Sequence, residues 1–395
     1  MNNINQDKIS IVIPVFNFPK TLPKVLHAIN NQTHRPVEIV IICSGDHQNL
    51  KNFLKNNEFK IPININFVSK AFPGEARNIG AKLVKSPWVA FLDSKTIPNK
   101  NWLEAYLTFS FKKNMDIILG CTRFISKNSF QSLYKYCSYG NINYETVPGT
   151  LIKTKLVIKE IPFSNHYRYG EDRLWKKTIG TSTLKFYSPT RNFIDYIGLP
   201  SNYLETLKKY YLSSMYTYHG SDTKSEIFMS TFLIFYVMVL PKWNYIVDGW
   251  NNHHLFIPHI TKIVTATIFG INILYTFLAK ISESNQTSIF LYLLRYITII
   301  SIFFVVLNWN AVFTNWSDSH ILYSPHITKM YVIILFSFLF INRGLFIPIK
   351  KKVNYKKIIP LKWLLIGFLG ISLDIVKFLG TLSRLFLRLK SLMTF

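Results

Sequence analysis

From residue 226 onward the chain is built of apolar runs whose length approaches what a lipid bilayer demands, and this limits the fold more than any other feature. A hydrocarbon core of about 30 Å takes roughly 20 mostly apolar residues per helix. Residues 227–240, 263–281, 289–312 and 330–349 meet or approach that length; the first is short, Arg295 interrupts the third and Arg343 lies near one end of the fourth. A fifth apolar stretch, 361–389, contains Asp374, Lys377, Arg384 and Arg388. It reads either as a fifth span or as an amphipathic helix lying in the interface, and its charges favour the interface. Charge divides the chain at the same place: residues 1–225 hold 30 of the 46 basic and 15 of the 20 acidic side chains. The expected organisation is a soluble domain at 1–225, followed at 226–395 by an α-helical membrane region with about four transmembrane helices and the C-terminal amphipathic or fifth helix.

Positive residues in short loops mark the cytoplasmic side of a membrane protein. The densest group, Lys350, Lys351, Lys352, Lys356 and Lys357, directly follows the fourth run. Four crossings that start from a cytoplasmic N-terminal domain return the chain to the cytoplasm there. The expectation is an integral protein of the inner or plasma membrane with its soluble domain in the cytoplasm. A net charge of +26 would suit nucleic acid, but no recognition-helix, zinc-finger or RNP-type pattern accompanies it, and the aromatics lie mainly in apolar runs. Membrane lipids and phosphate-bearing substrates are therefore the expected partners, and nucleic acid is not. Cys43, Cys121 and Cys137 provide neither a disulfide framework nor a zinc-ligand spacing.

In the soluble half, residues 9–15 (ISIVIPV) form a short β-branched run that ends at Pro14. It is followed by helix-period positions Leu22, Val25, Leu26 and Ile29, a strand–loop–helix pattern. Strand signals recur at 37–42, 63–68 and 88–92, with a helical stretch at 75–84. Strands alternating with helices predict an α/β fold with a mostly parallel sheet, whose ligands bind at the carboxyl ends of the strands. Asn17, Ser44, Asp93 and Lys95 mark those ends.

The succession PVFN (14–17), NQT (31–33), VEIVII (37–42), GEARNIGA (74–81), WVAFLDSKTIP (88–98) and YGEDRLW (169–175) resembles family 2 glycosyltransferases over roughly residues 8–200. The resemblance implies a GT-A fold, Rossmann-like, and inverting transfer of a sugar from a nucleotide-sugar donor. It further implies that Pro14, Phe16 and Asn17 hold the nucleobase and ribose, Phe16 offering a stacking face; the alternative is strand punctuation with Phe16 in the core. Arg77 and Asn78, read as opening a helix after a turn at Gly74, are implied to meet the nucleotide or its phosphates, the alternative being an Arg77 paired with Glu75. The family often has Asp where this chain has Cys43, so base contact through that position is not supported, and Ser44 or Asp46 is left to compensate.

Asp93 ends a buried strand, where a carboxylate is costly unless it meets a cation or hydrogen-bond donors. Family members usually carry Asp-x-Asp here and hold Mg²⁺ or Mn²⁺ against the donor diphosphate. This chain reads Asp93-Ser94-Lys95, which leaves two readings open. Either Asp93 alone supports a divalent metal together with substrate phosphates, or the Lys95 ammonium neutralises the leaving group. On the acceptor side the resemblance assigns Asp172 as catalytic base, with Glu171 orienting it or binding acceptor. Gly149, Arg173 and Trp175 would border the acceptor, Trp175 being equally well placed for the core. No QxxRW motif follows the Glu-Asp pair, so single addition is favoured over processive synthesis. The acceptor expected from an anchored enzyme is a lipid-linked or cell-envelope glycan. Two rivals remain: a polyprenyl-phosphate glycosyltransferase, and a catalytically silent relative that binds nucleotide sugar or scaffolds a membrane complex.

Overall fold

The computed structural model describes residues 7–45, 48–191, 193–216, 337 and 340–393. Residues 1–218 and 340–395 fall in one compact unit and 219–339 in another. The expected spans 227–240, 263–281 and 289–312, nearly all of 330–339, and Asp46 lie outside the described residues.

Four strands form a parallel half-sheet in the order β3-β2-β1-β4: β1 (Ile9–Phe16), β2 (Glu38–Ser44), β3 (Ile63–Val68) and β4 (Trp88–Phe91). β1, β2 and β4 are almost continuously apolar because helices cover both faces of the sheet. On one face α1 (Leu22–Asn30) buries Leu22, Val25, Leu26 and Ile29 in the same cluster as Ile9, Ile11 and Ile13. Each such side chain contributes about 1.5–3 kcal/mol relative to exposure, so the 3.6-residue spacing of these four largely fixes the helix. The link from β2 to β3 carries α2 (Gln48–Lys55). On the other face α3 (Pro73–Leu83) sets Ala76 and Ala81 into the cluster that holds Val12, Val40 and Val89. A Cβ on Gly80 would stand 2.3 Å from Val12 Cγ1, so glycine permits the helix to lie directly on β1. α3 begins at Pro73, earlier than the predicted 75, with Phe72 extended at its N-cap; Gly74 is therefore inside the first turn and not in a turn before it.

The expectation of a mostly parallel sheet fails beyond β4. The chain passes through β5 (Thr96–Pro98), α4 (Trp102–Lys113), β6 (Ile117–Phe124), α5 (Ser129–Ser138) and β7 (Tyr144–Lys153). It continues through α6 (Thr154–Lys159), α7 (Glu171–Thr181), β8 (Phe186–Tyr187) and β9 (Ile194–Tyr196). β7 pairs antiparallel with both β4 and β6, β9 runs parallel to β6, and β5 closes the order antiparallel to β9. The sheet is therefore mixed. The reason is that α5, between β6 and β7, does not cover the sheet as a crossover helix would. It packs Tyr134 and Cys137 into a separate core with Leu199 and residues from the far end of the chain.

That third core also takes in the far end of the chain. Residues after 340 include a π-helical turn at Asn342–Phe346, α9 (Ile347–Lys350) and the 32-residue α10 (Lys362–Met393). Val353, Ile358, Ile366, Leu369 and Leu373 pack with α5 and, through Tyr203, Leu207 and Tyr210, with α8 (Tyr203–Tyr216). Asn141 N–H donates to Lys351 O at 2.8 Å, which ties the lysine cluster to the same body. Among the described residues no helix is long and apolar enough to cross a membrane.

Candidate active site

A cleft of about 550 Å³ opens at the carboxyl ends of β1, β2, β3 and β4. This is where a parallel sheet leaves its loops free to meet a ligand. Pro14, Phe16 and Ser44, expected there from sequence, line it together with Asp93 and Lys95.

The rim owes its shape to two residues in the left-handed region, Asn17 at φ 55° and Gly45 at φ 83°. Asn17 N–H donates to Ser44 O at 2.9 Å, joining the ends of β1 and β2. A Cβ on Gly45 would meet Asn17 Oδ1 at 2.2 Å and the Phe16 ring at 3.3 Å, so only glycine lets these loops close. The turn leaves Phe16 69% exposed on the cleft wall. Alternation along β2 sends the buried Cys43 side chain into the core beside α1. The Ser44 hydroxyl donates to Val15 O at 3.5 Å.

Asp93 sits in a turn that Thr96 closes: the Thr96 hydroxyl donates to Asp93 O at 2.7 Å. Its carboxylate accepts from Arg77 Nη2 at 2.9 Å, and Arg77 Nη1 donates to Glu171 Oε1 at 3.2 Å. Arg77, 3% exposed and lying against the Phe163 ring, thus joins the end of β4 to the start of α7. The sequence alternative had paired it with Glu75. Burial opposes the Arg77 charge, but Asp93 and then Glu171 outweigh it and hold the guanidinium firmly protonated. For Glu171 the balance reverses. Burial raises its carboxyl above the usual range, and Arg77, shared between two acids, recovers only part of that rise.

Asn78 does not reach the cleft wall. Its amide donates to Phe163 O at 2.8 Å and to Asn165 Oδ1 at 2.9 Å, and its carbonyl accepts from Phe163 N–H at 2.9 Å. It latches the loop that delivers Arg168 and Tyr169 to the cleft. Gly74 serves the same approach, because a Cβ there would stand 2.5 Å from Ser164 O and 3.2 Å from Glu171 Cγ.

Asp172 is exposed in the first turn of α7, with Oδ1 accepting from Arg173 N–H at 2.7 Å. Arg173 is exposed beside it. The other acceptor-side expectations fall in the packing. Trp175 is 1% exposed, stacked on Phe163, and its indole donates to Ile161 O at 2.7 Å. Gly149 is buried in β7 at φ 92°, where a Cβ would strike Ile194 Cγ1 at 2.5 Å.

The structure adds residues that sequence reasoning did not name: Lys70 after β3, Arg168 before α7, and Tyr196 at the end of β9 all line the cleft. Arg168 immediately precedes the YGEDRLW motif. Tyr196 is brought in by the pairings of β9, in which it stands opposite Thr96 of β5 and Phe124 of β6. Behind it, Lys209 of α8 places Nζ 5.9 Å from the Tyr196 ring centroid. Burial, and then the Lys95 charge, pull the Lys209 ammonium down to about 8, against the opposing effect of Glu205.

Residues 10–187 match the model described as Glycosyl transferase family 2. Over those residues the chain is similar to family 2 glycosyltransferases. An uncharacterized glycosyltransferase of Rickettsia bellii is 28% identical over 182 residues, 42% of this chain and 25% of that protein. Glycosyltransferase AglE of Haloferax volcanii is 24% identical over 182 residues, 43% of this chain and 60% of its own length. The poly(ribitol-phosphate) beta-glucosyltransferase of Bacillus spizizenii is 27% identical over 181 residues, 42% of this chain and 28% of that protein. The chain thus spans less than two thirds of each of these relatives. S. aureus TarS 1-349, solved in complex with UDP-GlcNAc, superposes with a TM-score of 0.43 at 14% identity, over 77% of this chain and 91% of that one, too distant a likeness to carry an argument.

Two residues after Asp93 stands Lys95, and the Asp93 carboxylate accepts from Arg77. Among the described residues no three His, Cys, Asp or Glu side chains gather as metal ligands. Among the described residues, the charged ones lining the cleft are three cations, Lys70, Lys95 and Arg168, against the carboxylate of Asp93. Such a lining attracts an anion and repels a dication.

Proposed function

We propose that the chain is an inverting glycosyltransferase that adds one sugar from a nucleotide-sugar donor to a lipid-linked or cell-envelope glycan at the cytoplasmic face of the membrane. One observation carries this reading: the buried Arg77 guanidinium joins Asp93, in the cleft at the parallel strand ends, to Glu171, the neighbour of the exposed Asp172 carboxylate. Phe16 provides a face for the base, and the cationic lining suits the diphosphate. Asp172 takes the proton of the acceptor hydroxyl as its oxygen attacks the anomeric carbon. The carbon–oxygen bond to the diphosphate breaks, and the nucleoside diphosphate leaves carrying the electron pair. Attack from the side opposite the leaving group inverts the anomeric centre.

Two further features support the acceptor and the location. α10 exposes Leu364, Leu365, Phe368, Ile375 and Leu379 at spacings of one, three, seven and four residues, an apolar stripe close in sequence to Lys350, Lys352, Lys356 and Lys357. A stripe of this kind beside cations suits the headgroup layer of an anionic membrane. The relative named poly(ribitol-phosphate) beta-glucosyltransferase supports a polymeric cell-envelope acceptor.

The test is turnover of UDP-, GDP- and dTDP-sugars by membranes containing the full chain, supplied with lipid and glycan extracts, beside Asp172→Asn. Loss of a general base lowers turnover by about 10²–10⁴-fold. Equal rates in wild type and variant would remove Asp172 from the chemistry. Nucleotide binding without turnover under every acceptor and metal condition would instead establish a silent binding domain.

A further inference from the structure

Two residues after Asp93 the chain places Lys95, and the tertiary structure brings more positive charge to the same cleft. Lys70 and Arg168 line the same cleft from two other loops. Lys95 packs across Gly198, where a Cβ would stand 2.3 Å from its Cδ, and its carbonyl accepts from Ile197 N–H at 2.9 Å, so its course is set by the strand that carries Tyr196. Lys209 brings its Nζ to 5.9 Å from the Tyr196 ring centroid from α8, a helix that the third core holds in place. Glu205, on the same helix, is held below the usual carboxylate range, first by the Ser201 amide and then by the Ser201 hydroxyl and the two lysines. The Arg77 charge is committed to Asp93 and Glu171. Among the described residues, what remains lining the cleft is an excess of ammonium and guanidinium groups, the complement of a dianion and a poor host for a divalent cation.

We propose that this chain holds the diphosphate of its donor without a divalent ion, Lys95, Lys70 and Arg168 binding the phosphoryl oxygens while Lys209, behind Tyr196, adds its charge to the field at the same point. The inference rests on the donor being a nucleoside diphosphate sugar. Lys95 is the direct ligand, on the turn that begins with Asp93. Lys209 is a positioning residue: it acts through the field and through the Tyr196 ring, so its removal weakens the anion site without removing a contact.

The experiment is calorimetric titration of the detergent-solubilised full chain with inorganic pyrophosphate and with UDP, in chelator and then with Mg²⁺ or Mn²⁺. Pyrophosphate binds in chelator, and added metal, which complexes pyrophosphate in solution, does not tighten it. Lys95→Met weakens binding by about tenfold or more, the loss of one charge-assisted hydrogen bond. Lys209→Met weakens it by roughly two- to tenfold, with a shallower salt dependence, whereas Lys209→Arg restores both. Lys159→Met, on α6, leaves binding unchanged. Melting temperatures matched to wild type show that the variants are folded. A strict requirement for Mg²⁺ or Mn²⁺ would overturn the inference, as would wild-type affinity and salt dependence in both lysine variants. These outcomes are separable from the enzymatic reading. Metal-dependent sugar transfer would retain the transferase and remove the lysine site, while metal-free pyrophosphate binding without any turnover would retain the lysine site and remove the transferase.

Discussion

Replacing Arg77 with methionine tests the bridge that organises the site. Methionine keeps most of the aliphatic volume against Phe163 and removes the guanidinium that serves two carboxylates at 2.9 and 3.2 Å. The two legs are unequal. The Asp93 side chain is 36% exposed, so water takes over its solvation and its loss costs at most about 1 kcal/mol. The Glu171 side chain is 9% exposed, and orphaning a buried carboxylate costs about 3–5 kcal/mol when it stays ionised. Glu171 is already pushed up by burial and escapes part of that cost by taking a proton, so the net penalty is about 2–4 kcal/mol. For a folded unit of this size, that lowers Tm by roughly 5–12 °C.

The assay is thermal unfolding of the full chain in detergent for wild type, Arg77→Met, Glu171→Gln and the double variant. Glu171→Gln in the Arg77→Met background removes the orphan charge and restores about 2 kcal/mol, although by itself it destabilises. The deficit of Arg77→Met also depends on pH with a definite sign. Its Glu171 has a folded pKa above the unfolded value of about 4.3, so the protonated form favours folding and the deficit shrinks as pH falls through the folded pKa. A double variant that melts below Arg77→Met, or a single variant within about 2 °C of wild type, would refute the account of a buried shared bridge.

Two further outcomes are expected. Phe16→Ala, at a position 69% exposed, leaves Tm unchanged and raises the donor KM by about tenfold, the worth of one stacked base; an unchanged KM would remove Phe16 from base recognition. Asp116 is held below the ordinary carboxylate range: partial burial works against its charge, but the hydrogen bonds from Lys153 Nζ at 2.7 Å and from Lys185 N–H at 3.1 Å outweigh it. Asp116→Asn therefore costs about 0.5–1 kcal/mol at neutral pH. Because the folded pKa is depressed, that contribution is present above the unfolded value of about 3.9 and is lost as pH falls through the folded pKa. A gap between the two melting curves that persists unchanged well below pH 4 would contradict this.

The legible part of the fold was the part written in local periodicity. Leu22, Val25, Leu26 and Ile29 predicted the buried face of α1, and the β-branched runs gave β1 to β4 to within two residues at either end. β5 and β9, three residues each, leave no pattern long enough to read, and β6 and β7 do not reveal their direction, since an antiparallel and a parallel strand buried on both faces have the same composition. The same limit separates the site residues. Phe16, Asp93 and Lys95 stand at the ends of readable strands and were named from them. Tyr196 and Lys209 were not, because their place depends on β9 pairing with β5 and on α8 packing against α5 and α10.

Sequence by itself determined which chemistry is present: a strand-end loop with an exposed ring, an acid followed two residues later by a lysine, and a Glu-Asp pair opening a helix. It did so because those features depend on residue identity and on neighbours a few positions away. Only the tertiary structure decided what each group does with its charge. Arg77, Asp93 and Glu171 are 16 and 94 residues apart along the chain and become one bridge, while Trp175 and Gly149 prove to be packing positions and Lys209 comes to stand beside the cleft. Burial and distance set the energy of a charge, and both are created by the packing of segments that carry no record of one another.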